Sequence, residues 1–209
     1  MNIEINSSGQ DHWEKIYSTK TEKEVSWFQP YPTVSMKFID SLNLPGDAAI
    51  IDIGTGDGLL IETLLDKGYR NISALDISRN AIERAKSRLG DKAAAINWIV
   101  SDILKFDPST KFDLWHDRAT FHFLTHENDA DHYISIAANS IKPNGYMVLS
   151  TFSEQGPKKC SGLDTRQYSE TSLSAKLEPG FERLNCMKAD HTTPFNTLQN
   201  FLCCSFKKK

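Results

Sequence analysis

The chain has 209 residues, enough for one domain with a sizeable core and at most a small added lobe. Hydrophobic residues make up 39% and charged residues 24%, a soluble composition, and a formal charge of −3 gives no pull toward nucleic acid or an anionic membrane. The opening "MNIEINSSGQ" lacks a cationic segment followed by an apolar one, and no stretch approaches a membrane span, so a cytoplasmic location is expected.

The first 46 residues read as one or two short helices around an aromatic link, "EVSWFQPYP", set apart from a main domain over 47–209. Ala48–Ile53 is a buried strand. Leu59–Lys67 follows as a helix with Leu60, Ile61, Leu64 and Leu65 on its apolar face. Asn71–Asp76 is a second strand, and Ser78 is a suitable N-cap for a helix running to about Leu89. Ala95–Val100 and Lys111–His116 are the third and fourth strands. Asn128 or Asp129 is expected to cap a helix to Ile141, with Ile134, Ala137, Ala138 and Ile141 as its inner stripe. "KPNGY" turns the chain into a fifth strand, Tyr146–Phe152. Ser169 caps a short helix to Leu177. Phe181–Ala189 and Thr197–Phe206 are then two strands with only the loop "DHTTPFN" between them, so they pair antiparallel at a sheet edge. The β-α-β-α order before them requires a parallel sheet with helices on both faces. Lys207, Lys208 and Lys209 read as a solvated basic tail. Of the four cysteines, none forms a C-x-x-C pair, adjacent Cys203 and Cys204 point to opposite faces of their strand, and reduced thiols are expected.

"IDIGTGDG" follows the first strand and opens a helix. A dinucleotide site wants a third small residue where this chain has Leu59, and an acid two residues before the first glycine, Asp52, repels a pyrophosphate. The same acid suits an ammonium or sulfonium. That charge logic favours S-adenosylmethionine, held by Asp52, Gly54, Thr55 and Gly56. Asp76 ends the second strand 22 residues past Gly54, where a carboxylate can accept from both ribose hydroxyls. Asp102 ends the third strand, within reach of an adenine amino group, and Ile77 and Ile103 can sandwich the purine.

Through these stretches the chain resembles the class I S-adenosylmethionine-dependent methyltransferases. "IIDIGTGDG", "ALDIS", "SDI", "FDLWHDRATFHFL" and "IKPNGYMVLSTF" look like that family's five successive motifs. The resemblance implies an α/β, Rossmann-like, seven-stranded sheet of order 3-2-1-4-5-7-6 with strand 7 antiparallel. It places Asp52, Gly54 and Gly56 near the methionine moiety, Asp76 at the ribose, Asp102 and Ile103 at the adenine, and Asp117 facing the transferred methyl. "DHWEKIY", "NISALDIS" and "DRATFHF" are similar to stretches of small lysine methyltransferases of translation factors, which tend to have Asp where this chain has His122.

Four of the six histidines fall between His116 and His132. His122 and His126 have the spacing of one helix face, but no carboxylate or cysteine completes a metal set and none is expected. His122 is a candidate base for a hydroxyl or amine, or else a packing residue between Phe121 and Phe123; Asp117 is the second catalytic candidate. Trp27 and Phe28 form either a lid over the site or an anchor for the N-terminal helix. Arg118 or Arg166 can grip a substrate carboxylate bidentately, and the segment Lys158–Ser169 and the loop at Asp190–Pro194 sit where this fold adds recognition elements. The expected reaction is SN2 methyl transfer to an N or O nucleophile of a small molecule or a protein side chain. The rival readings are a non-catalytic S-adenosylmethionine-binding module or partner subunit, and an NAD-dependent oxidoreductase, against which stand Leu59 and the lack of a Tyr-x-x-x-Lys pair.

Overall fold

The computed structural model describes residues 7–209. Helix α1 (Ser7–Thr19) and α2 (Thr33–Ser41) precede the sheet. Then follow β1 (Ala49–Ile53), α3 (Leu60–Asp66), β2 (Asn71–Asp76), α4 (Arg79–Leu89), β3 (Ile96–Val100), β4 (Phe112–Arg118), α5 (Glu127–Ser140) and β5 (Ile141–Phe152). A two-stranded ribbon, β6 (Lys159–Cys160) and β7 (Leu163–Asp164), leads to α6 (Glu170–Leu177) and to the long pair β8 (Phe181–Thr192) and β9 (Leu198–Lys208). The sheet runs β3-β2-β1-β4-β5-β9-β8, with β9 antiparallel to both neighbours and the other pairs parallel. This is the expected order once the small ribbon is set aside.

The pleat sorts the core into two layers. Ile51, Ile53, Trp115, Met147 and Leu149 face α5 and α6, meeting Tyr133, Ala137, Leu173 and Leu177. Ile50, Ile72, Leu114 and Val148 face the other way, onto Met36 and Ile39 of α2 and Leu60, Ile61 and Leu64 of α3. Successive side chains on a strand point to opposite faces, so near-continuous apolar runs such as "AIIDI" are what a doubly covered sheet needs. Ser78 caps α4 by accepting from the Ala81 N–H at 3.2 Å, and Ser169 caps α6.

Several sequence expectations need correction. Helix α5 starts one turn early, with His126 as its N-cap, and its inward residues are Ala130, Tyr133, Ala137 and Ser140. Ile134 and Ala138 only flank that stripe, because Tyr133 fills the space beside Trp115. Strand β4 extends two residues beyond His116 to take in Asp117 and Arg118. Lys207 and Lys208 belong to β9; Lys208 donates to the carbonyls of Ala138 and Ile141 at the end of α5, where a cation meets the unsatisfied carbonyls of a helix terminus. Strand β8 runs on through Asp190 to Thr192, so only Thr193–Thr197 forms the turn. Cys186 and Cys204 are opposite one another in the β8–β9 register and are joined as a disulfide, while Cys160 and Cys203 are free. The expectation of four reduced thiols missed this because pairing across strands depends on register, not spacing. Cys203 and Cys204 do face opposite layers.

Candidate active site

A cavity of about 580 Å³ lies at the C-terminal ends of the parallel strands, the usual ligand position of an open α/β sheet. Its floor is the turn after β1. Gly54 and Gly56 have φ of +64° and +56°, a conformation side chains disfavour. A Cβ on Gly54 would collide with Thr120 Oγ1, and one on Gly56 would meet Tyr17 Oη at 2.5 Å. The loop needs glycine for both reasons.

Four acids wall this end; Asp57 is paired with Arg84 at 2.6 Å, and Asp52, Asp76 and Asp102 are the other three. Asp76 is buried, and its two oxygens accept from the Gly56 and Ser78 backbone N–H groups, each at 2.8 Å. Burial pushes its carboxyl up to about 6, although these two hydrogen bonds pull the other way. Asp102 accepts from the Leu104 N–H at 3.0 Å, and the preceding Ser101 N–H donates to the Asp76 carbonyl, tying the end of β3 to β2. Asp52 pairs with His116 Nδ1 at 2.7 Å, and His116 Nε2 lies 2.8 Å from Ser35 Oγ of α2. Because a carboxylate only accepts, Nδ1 donates to Asp52, and a neutral ring then leaves Nε2 to accept from the serine hydroxyl. Asp52 and His116 are register partners on β1 and β4, so they share a face. Ser35, Asp52 and His116 all line the cavity.

Helix α1 roofs the cavity through Trp13 and Tyr17. It is fastened to the start of α4: the Glu14 carboxylate accepts from Ser78 Oγ at 2.9 Å and from the N–H groups of Arg79 and Asn80 at 2.7 and 3.1 Å. Those are the orphan donors of a helix N-terminus, where an anion is favoured. Arg84 of α4 donates back to the carbonyls of Tyr17 and Lys20. Trp13 packs edge-on against Trp27 and Phe123, with ring centroids 5.7 and 5.2 Å apart.

The other half of the cavity is aromatic, with Trp27, Phe28, Phe123, Phe152 and Phe201 in its wall beside Cys160, Gln199 and Arg118. A chamber with acids clustered at one end and no cationic cradle there suits a ligand that is cationic and carries hydroxyls. It does not suit a diphosphate.

The model of a family described as methyltransferase domain matches residues 45–197. The chain belongs to this methyltransferase-domain family. It is 38% identical over 105 residues to malonyl-[acyl-carrier protein] O-methyltransferase 2 of Ilyobacter polytropus, covering 49% of this chain and 39% of that protein. It is 27% identical over 190 residues to EEF1A lysine methyltransferase 2 of Danio rerio, covering 83% of this chain and 75% of that one. A Burkholderia thailandensis 1,6-didemethyltoxoflavin-N1-methyltransferase, solved with S-adenosylhomocysteine, shares the fold at a TM-score of 0.70 and 17% identity, over 97% of this chain and 85% of that one. The chain thus spans well under half of the first of these relatives.

In this chain the residues expected around the cofactor gather in one place: Asp52, Gly54, Thr55, Gly56, Asp76, Ile77, Asp102 and Ile103 all line the cavity. The buried acids and the glycine turn offer acceptors for an ammonium and for ribose hydroxyls, so the residues present fit S-adenosylmethionine. Trp27, Phe28 and Arg118 also line the cavity.

Three expected site residues lie elsewhere. Asp117 is fully buried on the α5 face, accepting from Tyr133 Oη at 2.6 Å and from the Thr120 N–H at 2.9 Å. Its register partner is Ile53, one residue out of phase with Asp52, so the pleat turns it away from the cavity. His122 is fully buried and stacked on Phe152 at 4.1 Å, with neither ring nitrogen hydrogen-bonded. Burial and the nearby Arg118 pull its imidazole down to about 3, which disfavours proton uptake there. Arg166 pairs with Glu127 and covers the Tyr168 ring at 5.2 Å, outside the cavity wall. His122 and His126 fall on separate elements, a 3₁₀ turn at Phe121–Phe123 and the cap of α5, not on one helix face.

Sequence reasoning missed Ser35, His116 and Tyr17. Only the pairing of β1 with β4 shows that His116 stands beside Asp52, and nothing local signals that Ser35 comes from 81 residues away.

Proposed function

We propose that this methyltransferase moves a methyl group in line to an oxygen or nitrogen nucleophile of a small molecule or a protein side chain, in the cytoplasm. What carries the reading is the single chamber in which an acid-walled half adjoins an aromatic half. When bound, S-adenosylmethionine supplies an electrophilic methyl on a sulfonium leaving group.

The chain's own residues do the rest. Asp76 accepts from ribose hydroxyls, Asp102 from the adenine amino group, and Asp52 stands at the cationic end. His116 fixes the Asp52 carboxylate in orientation, and its Nε2 faces Ser35, where it can take up a proton passed through that hydroxyl. Trp27, Phe28 and Trp13 exclude water, which matters because a desolvated nucleophile is aligned and stripped of competing hydrogen bonds. No helix among the described residues is long and apolar enough to cross a membrane.

Titration with S-adenosylhomocysteine and with NADH tests the cofactor half; label transfer to extract proteins and small acids tests the acceptor half. Tight S-adenosylhomocysteine binding and label uptake are expected. Binding without label in any acceptor would favour the second reading, a non-catalytic module, for which the withdrawal of Asp117 and His122 from the cavity is the specific observation.

A further inference from the structure

Arg118 is a cation without a counter-ion. It stands at the end of β4 and lines the aromatic half of the cavity. Its Nη1 donates to the Trp27 carbonyl at 3.2 Å, its guanidinium lies over the Phe201 ring at 5.0 Å, and its Nη2 is buried with no acceptor. No carboxylate of the described residues pairs with it. The nearest help is remote: Asp52 is committed to His116, and Cys160 and Cys203 are thiols. The residue as a whole is half-buried and open to the cavity, but a guanidinium edge taken out of water with neither a partner nor a full set of hydrogen bonds carries a desolvation cost that an anion would relieve. Burial draws even this guanidinium down, to about 10.

Arg166, the other arginine of this region, shows the contrast. It is bound to Glu127 at the surface and has no unmet demand.

Resting on the methyltransferase reading, we propose that the acceptor is a small carboxylate whose anion completes Arg118. The charge arithmetic selects a monoanion: one guanidinium with one free edge and, among the described residues, no other arginine or lysine in the cavity wall. A phosphate dianion would want several donors. The aromatic walls select an apolar body, since Trp27, Phe152, Phe201 and Leu163 surround the same space. The same charge disfavours a lysine ammonium as the group entering this half of the chamber, because two cations would share a desolvated site. The subsite therefore separates this chain's acceptor from that of a lysine methyltransferase by electrostatics.

The test uses the full chain saturated with S-adenosylhomocysteine. The probes are straight-chain acids from acetate to octanoate, benzoate and phenylacetate, the matching primary amides, and inorganic phosphate. Thermal shift and calorimetry are the readouts. At least one acid is expected to raise Tm, with its amide and phosphate silent. Arg118→Gln is expected to weaken that acid about tenfold or more, and Arg118→Lys, which keeps the charge and loses the fork, to weaken it less. Each variant's affinity for S-adenosylhomocysteine reports that it has folded, and Arg118→Lys stands in if Arg118→Gln does not. The proposal is overturned if no acid protects the wild type, if the amides or phosphate protect equally, or if the acids protect Arg118→Gln as well as wild type. Failure of S-adenosylhomocysteine itself to bind would instead overturn the methyltransferase reading beneath it.

Discussion

Four aspartates stand at or just beyond the ends of four neighbouring strands, yet they do two different jobs. Asp52, Asp76 and Asp102 open onto a cavity; Asp117 is sealed against α5. The chemical group is the same and the height in the sheet is similar. What differs is phase in the pleat. Asp52 aligns with His116, and Asp117 aligns with Ile53, so Asp52 and His116 share the cavity face while Asp117 turns to the other. On the cavity side the acids hold oxygens ready for a ligand. On the helix side Asp117 anchors Tyr133, which in turn accepts from Trp115 Nε1 at 2.9 Å. One group recognises and the other braces.

The largest effect expected follows from that division. Asp117→Ala leaves the fully buried Tyr133 hydroxyl and the half-buried Thr120 N–H without acceptors, and should cost about 3 kcal/mol in urea denaturation. S-adenosylhomocysteine affinity of the folded fraction should hardly move; an affinity loss matching an Asp52 or Asp76 variant would erase the distinction. The pH dependence has a fixed sign. Burial raises the folded carboxyl to about 6 from 3.8, so its favourable contribution is complete below 3.8 and disappears as pH rises to about 6. Asp117→Asn should remove that slope from the stability curve.

Asp76→Asn should do the reverse. Replacing an oxygen with an N–H donor opposite Gly56 or Ser78 disturbs the loop and removes the ribose acceptor, weakening S-adenosylhomocysteine by about a hundredfold in calorimetry. In the wild type the affinity should fall as pH drops below about 6, because the ligand needs the carboxylate that protonation consumes. Reduction of Cys186–Cys204, at the far edge of the sheet, should cost about 2 kcal/mol and leave affinity unchanged. Smallest of all, His122→Phe should shift stability by less than about 1 kcal/mol and spare turnover, since it swaps one ring stacked on Phe152 for another and removes two unsatisfied nitrogens. A collapse of turnover with intact binding would return His122 to the chemistry.

The sequence made the cavity-facing acids legible because each closes a hydrophobic run and the glycine turn marks the direction of the sheet. Strand order was also readable, through alternation of strands with capped helices and the missing helix before the last strand. The phase of β4 was not. "FDLWHDR" is consistent with either His116 or Asp117 facing the cavity, and only its register against β1 decides. The Cys186–Cys204 pairing, the Ser35 contact and the ribbon at Cys160 depend likewise on segments that meet only after folding. Arg118 and Arg166 looked equivalent as residues; their neighbours, Trp27 for one and Glu127 for the other, separate them.

The clasp between Glu14 and α4 has a kinetic consequence. Lifting α1 breaks three hydrogen bonds to one carboxylate together, along with the two that Arg84 makes to its far end. The cover is therefore expected to open as a unit rather than fray, so loosening the Glu14 carboxylate from the first turn of α4 should shorten the residence time of whatever lies beneath Tyr17.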